Sequence, residues 1–338
     1  IDVHDGMAIG FYLVKGMNNL VLNCDAHDNY DGYSEGDSGN VDGFGGHANK
    51  ETSTGNIFRG CRAWNNGDDG FDLINCYASY IIEYCWSFRN GYKPHSIESS
   101  GGNGAGFKSG GYGMGDIKKV PNPIPQHTVR YCLAYYNRQQ GFYSNHHLGG
   151  LIFENNTAYK NPSNYNMLNR KSSNEAVDVP GYGHIIKNNL SLSPRNSGGF
   201  PQHLINVDNT LSEIKNNSFA PNDLNLSESD FESLNEQELM GSRKSDGSLP
   251  DINFLRFSGM GCFINEEAVD YSWIQEPAIV LENGVARIVG EDSKSFNKFY
   301  VNGEEVSIEN GIVDLTSMSG ELNLKAISEN GAVTTLII

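Results

Sequence analysis

Residues 67–72 read Gly-Asp-Asp-Gly-Phe-Asp and set the carboxylates of Asp68, Asp69 and Asp72 within one glycine-kinked segment. Upstream, Asp42-Gly43-Phe44 repeats the central Asp-Gly-Phe; downstream, Gly106-Phe107-Lys108 repeats the Gly-Phe pair and ends in a lysine. Aligned on that pair, Asp42 and Asp69 hold one position, Asp72 and Lys108 another, and Asp68 flanks Asp69. On adjacent rungs of one coil, equivalent residues would stand about 4.8 Å apart, the spacing of paired strands. Carboxylates packed that closely repel unless a cation lies among them. Hard oxygen ligands in flexible turns suit Ca²⁺, which takes about six to eight oxygens, water included. A lysine beside such a cation has its ammonium form disfavoured and moves toward a usable base. Solvated turn acids, or a Ca²⁺ that only clips turns together, are the plainer alternatives.

Such convergence needs a repeat, and the sequence contains one. A short apolar run, a polar or aromatic residue, then Cys or Asn, recurs at Leu20–Cys24, Ile57–Cys61, Ile81–Cys85, Val129–Cys132, Leu151–Asn156, Ile185–Asn189 and Ile214–Asn217. The intervals run from 24 to 47 residues, so strands would be constant while the turns between them vary. In phase with it run Gly10-Phe11, Gly43-Phe44, Gly70-Phe71, Gly106-Phe107 and Gly141-Phe142, with Gly199-Phe200 as a weaker echo. Irregular repeats of short strands, with almost no helical periodicity, predict an all-β chain built on a right-handed parallel β-helix. Cys24, Cys61, Cys85 and Cys132 would form an inward column of buried thiols, not disulfides, continued by Asn156, Asn189 and Asn217 as an amide ladder.

The repeat fades after residue 222. Ser227–Met240 reads as a short helix, and Asp246–Phe254 and Phe263–Trp273 as extended wrapping segments. From Ala278 the texture becomes short alternating strands: Ala278–Leu281, Val285–Val289, Lys298–Val301, Gly311–Leu315, Leu322–Ala326 and Val333–Ile338. The expected organisation is a catalytic β-helix over 1–222, a helix and wrapping segment capping the coil over 223–275, and a small β-sandwich-like accessory module over 276–338.

A cation, an amine and a substrate carboxylate side by side suit removal of a proton from the carbon α to that carboxylate. In a 4-linked uronic acid this carbon is C5, and loss of its proton expels the sugar attached at O4 by β-elimination. Asp42-Gly43-Phe44, the Arg62–Asp72 run Arg-Ala-Trp-Asn-Asn-Gly-Asp-Asp-Gly-Phe-Asp, and Gly102–Gly111 (Gly-Asn-Gly-Ala-Gly-Phe-Lys-Ser-Gly-Gly) together resemble the motifs of polysaccharide lyase family 9. The resemblance covers roughly residues 1–265. It implies pectate or rhamnogalacturonan lyase activity, Ca²⁺ held by Asp42, Asp68, Asp69 and Asp72, and Lys108 as Brønsted base. It implies further rungs ahead of Asp42, and it leaves homogalacturonan and the rhamnogalacturonan-I backbone both open as substrates. The expectation is a bacterial enzyme acting outside the cytoplasm (secreted, periplasmic or on the cell surface), as a monomer, on the pectin of plant cell walls. A polygalacturonase-type glycoside hydrolase with Asp68 and Asp69 as its acid pair, and a non-catalytic polysaccharide-binding β-helix, are the alternatives from other functional classes.

Beyond Lys108 the same face carries Tyr112, Arg138, Tyr143, His146 and His147, then Arg170 and Lys171, with Tyr143 aligned above Lys108. Basic and aromatic groups there would clamp sugar carboxylates and stack on sugar rings; ordinary turn residues are the alternative. Gly102–Ser109 superficially resembles a phosphate loop, but Phe107 separates Gly106 from Lys108 and no helical pattern follows. Asp31–Asp42 has the length of an EF-hand loop, with Glu35, Gly36 and Asp37, yet Tyr33 occupies a ligand position.

The bulk composition narrows the classes further. The 338 residues are 38% apolar and 19% charged, with a net charge of −17. That charge argues against nucleic acid or an anionic membrane as partner, and it makes an anionic substrate awkward unless a metal ion or local Lys and Arg residues reverse the field. No run of apolar residues is long enough for a transmembrane helix. The chain opens on Ile1-Asp2-Val3, inside repeat-like sequence, the expectation for a mature or truncated start.

Overall fold

The structure, a computed structural model, describes residues 1–33, 38–112, 120–195, 201–263, 278–282, 284–289, 295–308, 312–328 and 333–337. By contacts the chain divides into two units, residues 1–236 with 253–265 and residues 237–252 with 266–338.

The first unit is a coil of three parallel sheets, each of seven described strands. One rung runs from Asn56–Arg59 through a tight corner to Arg62–Trp64, then to Phe71–Asp72. Each strand pairs in parallel with its equivalent on the rungs before and after, as Phe71 does with Phe44 and Phe107. The corner residue ahead of the Cys/Asn column is left-handed on rung after rung: Asn23, Gly60, Tyr84, Tyr131, Asn155 and Asn188 have φ between 52° and 64°. That turn aims the following residue inward. At Gly60 a Cβ would lie 2.2 Å from Asn23 Oδ1, so a side chain there would require the Asn23 amide to move.

Three columns fill the interior. In the first, Cys61, Cys85 and Cys132 are buried thiols, as expected. Cys132 N–H donates to Asn156 Oδ1 at 3.0 Å, and the side-chain amides of Asn156 and Asn189 donate to Asn189 and Asn217 at 3.1 and 3.0 Å. In the second, Phe11, Phe44, Phe71, Phe107, Phe142 and Tyr165 stack with ring centroids 4.8 to 5.0 Å apart. The column passes from Tyr165 to Leu204, so its last rungs are carried by residues outside the Gly-Phe pattern. Gly199-Phe200 lies outside the described residues.

The third column is a second amide ladder that the repeat reading did not contain. Asn29, Asn66, Asn90, Asn137 and Asn161 each sit five residues after a Cys/Asn corner position. Each donates from Nδ2 to Oδ1 of the next, at 2.9 to 3.1 Å, and the last donates to Asn164. The same amides reach across the turn to the carbonyls of Ala26, Ala63, Ser87 and Ala134. Backbone groups that the turn strips of sheet partners are thereby satisfied inside the coil.

The helix expected over Ser227–Met240 is instead two short 3₁₀ turns, Glu228–Asp230 and Glu236–Met240. Ser227 and Asp230 form a capping box, but Phe231 turns to extended backbone and is buried, which ends the first turn. In the second unit, Ala278–Glu282, Val285–Val289 and Ile312–Asp314 form one antiparallel sheet. Phe296–Val301, Glu304–Val306, Asn323–Ser328 and Val333–Ile337 form the other. Ile279, Phe299, Val313 and Leu324 belong to one buried cluster. This is the expected β-sandwich-like pair of sheets, with Glu304–Val306 as a strand the sequence pattern passed over. Among the described residues no helix is long and apolar enough to cross a membrane.

Candidate active site

The alternation of side chains along a strand places the site. Phe44, Phe71, Phe107 and Phe142 point inward, so their successors share the outer face, and Gly45, Asp72, Lys108, Tyr143 and Asn166 lie in register across it. Asp42 and Asp69 precede the inward phenylalanines on adjacent rungs, tied by a hydrogen bond from Asp69 N–H to Asp42 Oδ1 at 3.0 Å. All four acids are buried: Asp42, Asp68, Asp69 and Asp72 are 2, 1, 0 and 4% exposed. One carboxylate oxygen from each of Asp42, Asp68 and Asp69 lies within 4.8 Å of the others.

A glycine-rich loop closes over these acids. Asp68 Oδ1 accepts from the backbone N–H of Asn103 and, at 3.3 Å, of Gly104; Asp69 Oδ1 accepts from Ala105 N–H at 2.6 Å. Close approach explains the glycines, since a Cβ on Gly102 would lie 2.6 Å from Asp68 Oδ1. Lys108 Nζ lies 2.9 Å from Asp72 Oδ2, as a hydrogen bond, and 3.0 Å from Asp69 Oδ2. The second approach is an ion pair of poorer hydrogen-bond geometry, so the fully buried Asp69 Oδ2 has Lys108 as its near neighbour and no well-aligned donor.

The charges do not balance. Burial, then the neighbouring acids, pushes Asp42 well above the ordinary carboxylate range; burial and Asp69 push Asp68 up to about 7. Asp69 is raised too, by burial against the pull of Lys108. Burial disfavours charge on Lys108, but Asp69, Asp72 and Asp42 outweigh it and hold the ammonium above its usual pKa. Without a cation, therefore, Lys108 is held charged, opposite to the state a base needs. A buried oxygen without a well-aligned donor, three convergent carboxylates and more acids than cations are what a hard divalent cation fits.

The residues expected to line the sugar groove separate into two groups. Tyr143 follows the inward Phe142 and is in register with Lys108; its OH pairs with His146 Nε2 at 2.9 Å, and His146 Nδ1 with Asp178 Oδ1 at 2.6 Å. Burial, then Asp178, pushes the Tyr143 phenol up to about 12, so it stays protonated. Tyr112 and Arg170 are buried instead. Tyr112 donates its hydroxyl to the Cys76 carbonyl, and Arg170 donates to the Tyr112 carbonyl. Arg138 is half-buried and donates to the carbonyls of Gly102 and Asn103, not outward. His147 is fully enclosed, accepting from Gly111 N–H and bonded to the Pro125 carbonyl. Glu35, Gly36 and Asp37 lie outside the described residues.

His47 was missed. Its Nε2 stands 3.9 Å from Asp72 Oδ2 with no hydrogen-bond partner, beside the exposed ring of Tyr12. Its place follows from position: Gly46 pairs with Leu13 in the second sheet, and His47 comes next.

Comparison with known proteins supplies the context. The family described as "Pel9A-like, right handed beta helix region" matches residues 1–216, and "Rhamnogalacturonan lyase-like, C-terminal" matches residues 208–335. Pectate lyase L of Dickeya dadantii (strain 3937) is 35% identical over 261 residues, 76% of this chain and 54% of that protein. Pectate lyase PEL9 of Emericella nidulans is 29% identical over 273 residues, covering 75% and 60%. Among solved structures, a rhamnogalacturonan lyase is 55% identical with a TM-score of 0.72, covering 78% of this chain and 64% of that one. Pectate lyase Pel9A is 33% identical with a TM-score of 0.61, covering 80% and 61%. The chain thus spans about half the length of the Dickeya relative.

Proposed function

The chain belongs to the Pel9A-like right-handed β-helix family, polysaccharide lyase family 9, and on that premise we propose that it is a Ca²⁺-dependent pectic lyase. It would cleave at O4 of a 4-linked galacturonate, in homogalacturonan or the rhamnogalacturonan-I backbone, outside the cytoplasm where that polymer lies. The observation that carries this reading is Lys108 Nζ held 2.9 and 3.0 Å from Asp72 and Asp69 within a buried acid cluster.

Asp42, Asp68, Asp69 and Asp72 are the residues that would hold the cation. Bound Ca²⁺ would draw the carboxylates away from Lys108, favouring its neutral amine, and would neutralise the uronate carboxylate. Lys108 is then the base: its amine takes the C5 proton, C4=C5 forms, the C4–O4 bond breaks, and O4 leaves with the departing sugar, protonated by solvent. The burial of Lys108, whose side chain is 12% exposed, keeps bulk water from competing for its lone pair. Tyr143, one rung on, presents a phenol oriented by His146 and Asp178 to the neighbouring sugar.

The two backbones are separated by assay. Polygalacturonate and rhamnogalacturonan-I are each incubated with the protein, with Ca²⁺ and with chelator, and the ultraviolet absorbance of a 4,5-unsaturated uronate is followed. A Ca²⁺-dependent rise is expected on at least one polymer. Reducing ends released without unsaturation would favour a hydrolase and overturn the reading.

A further inference from the structure

Arg138 lies outside the acid cluster, on the rung after Lys108's loop, yet it is bonded to the far side of the peptide groups that hold Asp68. Its Nη1 donates to the Gly102 carbonyl at 2.8 Å and to the Asn103 carbonyl at 3.1 Å. Those carbonyls share their peptide planes with the N–H groups of Asn103 and Gly104, and both N–H groups donate to Asp68 Oδ1. A guanidinium at the oxygen end of a peptide group polarises it and strengthens the hydrogen bond at its nitrogen end. One positive charge is thus coupled to one carboxylate through two parallel peptide dipoles.

The surrounding contacts fix this geometry. Gly101 N–H donates to Gly91 O at 2.8 Å, Gly104 O accepts from Gln139 N–H at 2.9 Å, and Ala105 O accepts from Gly70 N–H at 2.9 Å. Gly91 and Gly104 pass so closely that a Cβ on Gly91 would stand 2.4 Å from Gly104 Cα and 2.9 Å from Arg138 Cβ. The backbone bonds hold the loop in place. Arg138 adds a permanent charge, and its Nη1 donates to both carbonyls from a rigid planar guanidinium, which a lysine ammonium on a flexible stem would hold less firmly.

We infer that Arg138 is a positioning residue that sets the cation affinity of the acid cluster, acting on Asp68 through the Gly102–Asn103 and Asn103–Gly104 peptide groups. This rests on the reading of Asp42, Asp68, Asp69 and Asp72 as cation ligands. Supporting partners of this kind hold a ligand oxygen in place and keep its charge available to the cation. Removing Arg138 leaves the loop carbonyls without its charge and weakens the hold of the Asn103 and Gly104 amides on Asp68.

The test is calorimetric titration of Ca²⁺ into chelator-treated wild type, Arg138→Ala and Arg138→Lys, with thermal unfolding of each in the absence of Ca²⁺. Affinity is expected to fall about tenfold in Arg138→Ala, the scale of one charge-assisted hydrogen bond, and less in Arg138→Lys. The metal-free midpoints should stay close to wild type, because the backbone bonds of the loop remain. Equal affinity in all three proteins overturns the inference. Affinity lost only together with the fold, in both variants, makes Arg138 a stability residue and overturns it as well. A wild type that binds no Ca²⁺ removes the cation site itself, and the inference falls with it; a wild type that binds, with variants unchanged, removes the role of Arg138 alone.

Discussion

Lys108 and Asp72 are in-register neighbours on adjacent rungs, and their side chains meet at 2.9 Å on the outer face of the coil. The lysine is therefore both the candidate base and the counter-charge of the acid cluster. Replacing it leaves four buried carboxylates without a cation, so Lys108→Ala should lower the thermal midpoint in chelator. Ca²⁺ should raise the midpoint of that variant by more than it raises wild type. At a free Ca²⁺ concentration a hundred times the Kd, binding contributes about 2.7 kcal/mol. Thermal unfolding with and without Ca²⁺ checks this; equal shifts in the two proteins would contradict it.

Asn90 donates to the Ala63 carbonyl, to Ser87 Oγ and to Asn137 Oδ1, while its own Oδ1 accepts from the Asn66 backbone. Asn90→Ala strands these buried partners, and about 2–4 kcal/mol of stability should be lost. Denaturant unfolding measures it. The equivalent change at exposed Asn209, outside the ladder, should cost little.

Phe107 lies between Phe71 and Phe142 with both ring centroids 4.9 Å away. Phe107→Ala opens a cavity in a fully buried stack and should cost about 3–5 kcal/mol. Lys108 follows it in the same strand, so turnover should fall with the packing. Phe107→Leu, which refills most of the volume, should recover much of both.

His147 is buried, and burial pushes its pKa down to about 4, below the unfolded value near 6.5. A lowered folded pKa means that its contribution is whole above the unfolded value and is lost as pH falls toward about 4. Over that window wild type should lose about 3 kcal/mol more than His147→Gln, whose amide keeps a donor and an acceptor but does not titrate. Unfolding free energies at pH steps across the window provide the comparison.

Tyr143→Phe removes the hydroxyl held by His146 but keeps the ring beside Lys108. If the phenol binds the neighbouring sugar, KM should rise about tenfold with kcat little changed. A fall in kcat alone would move Tyr143 into the chemistry.

The acids and the lysine were legible because one inward landmark, the Gly-Phe pair, fixes the outward residue that follows it, and parallel in-register pairing carries that relation from rung to rung. The amide ladder of Asn29 to Asn161 was equally regular, five residues after each corner, but its period is visible only once the corner column is known. Tyr112 and Arg170, expected in the groove from residue type, are buried in the structure. Residue type marks them as sugar-binding groups, whereas in the fold the Tyr112 hydroxyl donates to the Cys76 carbonyl and the Arg170 guanidinium to the Tyr112 carbonyl. Arg138 has the charge expected of a substrate clamp, but the carbonyls it needs belong to a loop 35 residues earlier in the chain. No local pattern could reveal that pairing. Tyr165 and Leu204 continue the inner column without a Gly-Phe pair because the core asks for bulk, not for that dipeptide.

The most direct measurement is the ultraviolet signal of the unsaturated uronate from wild type and Lys108→Ala on polygalacturonate and rhamnogalacturonan-I, with Ca²⁺ and with chelator. The account predicts product from wild type only with Ca²⁺, and a loss of about a thousandfold or more in Lys108→Ala that added Ca²⁺ does not restore. Turnover in Lys108→Ala equal to wild type, or full wild-type turnover in chelator, would contradict it.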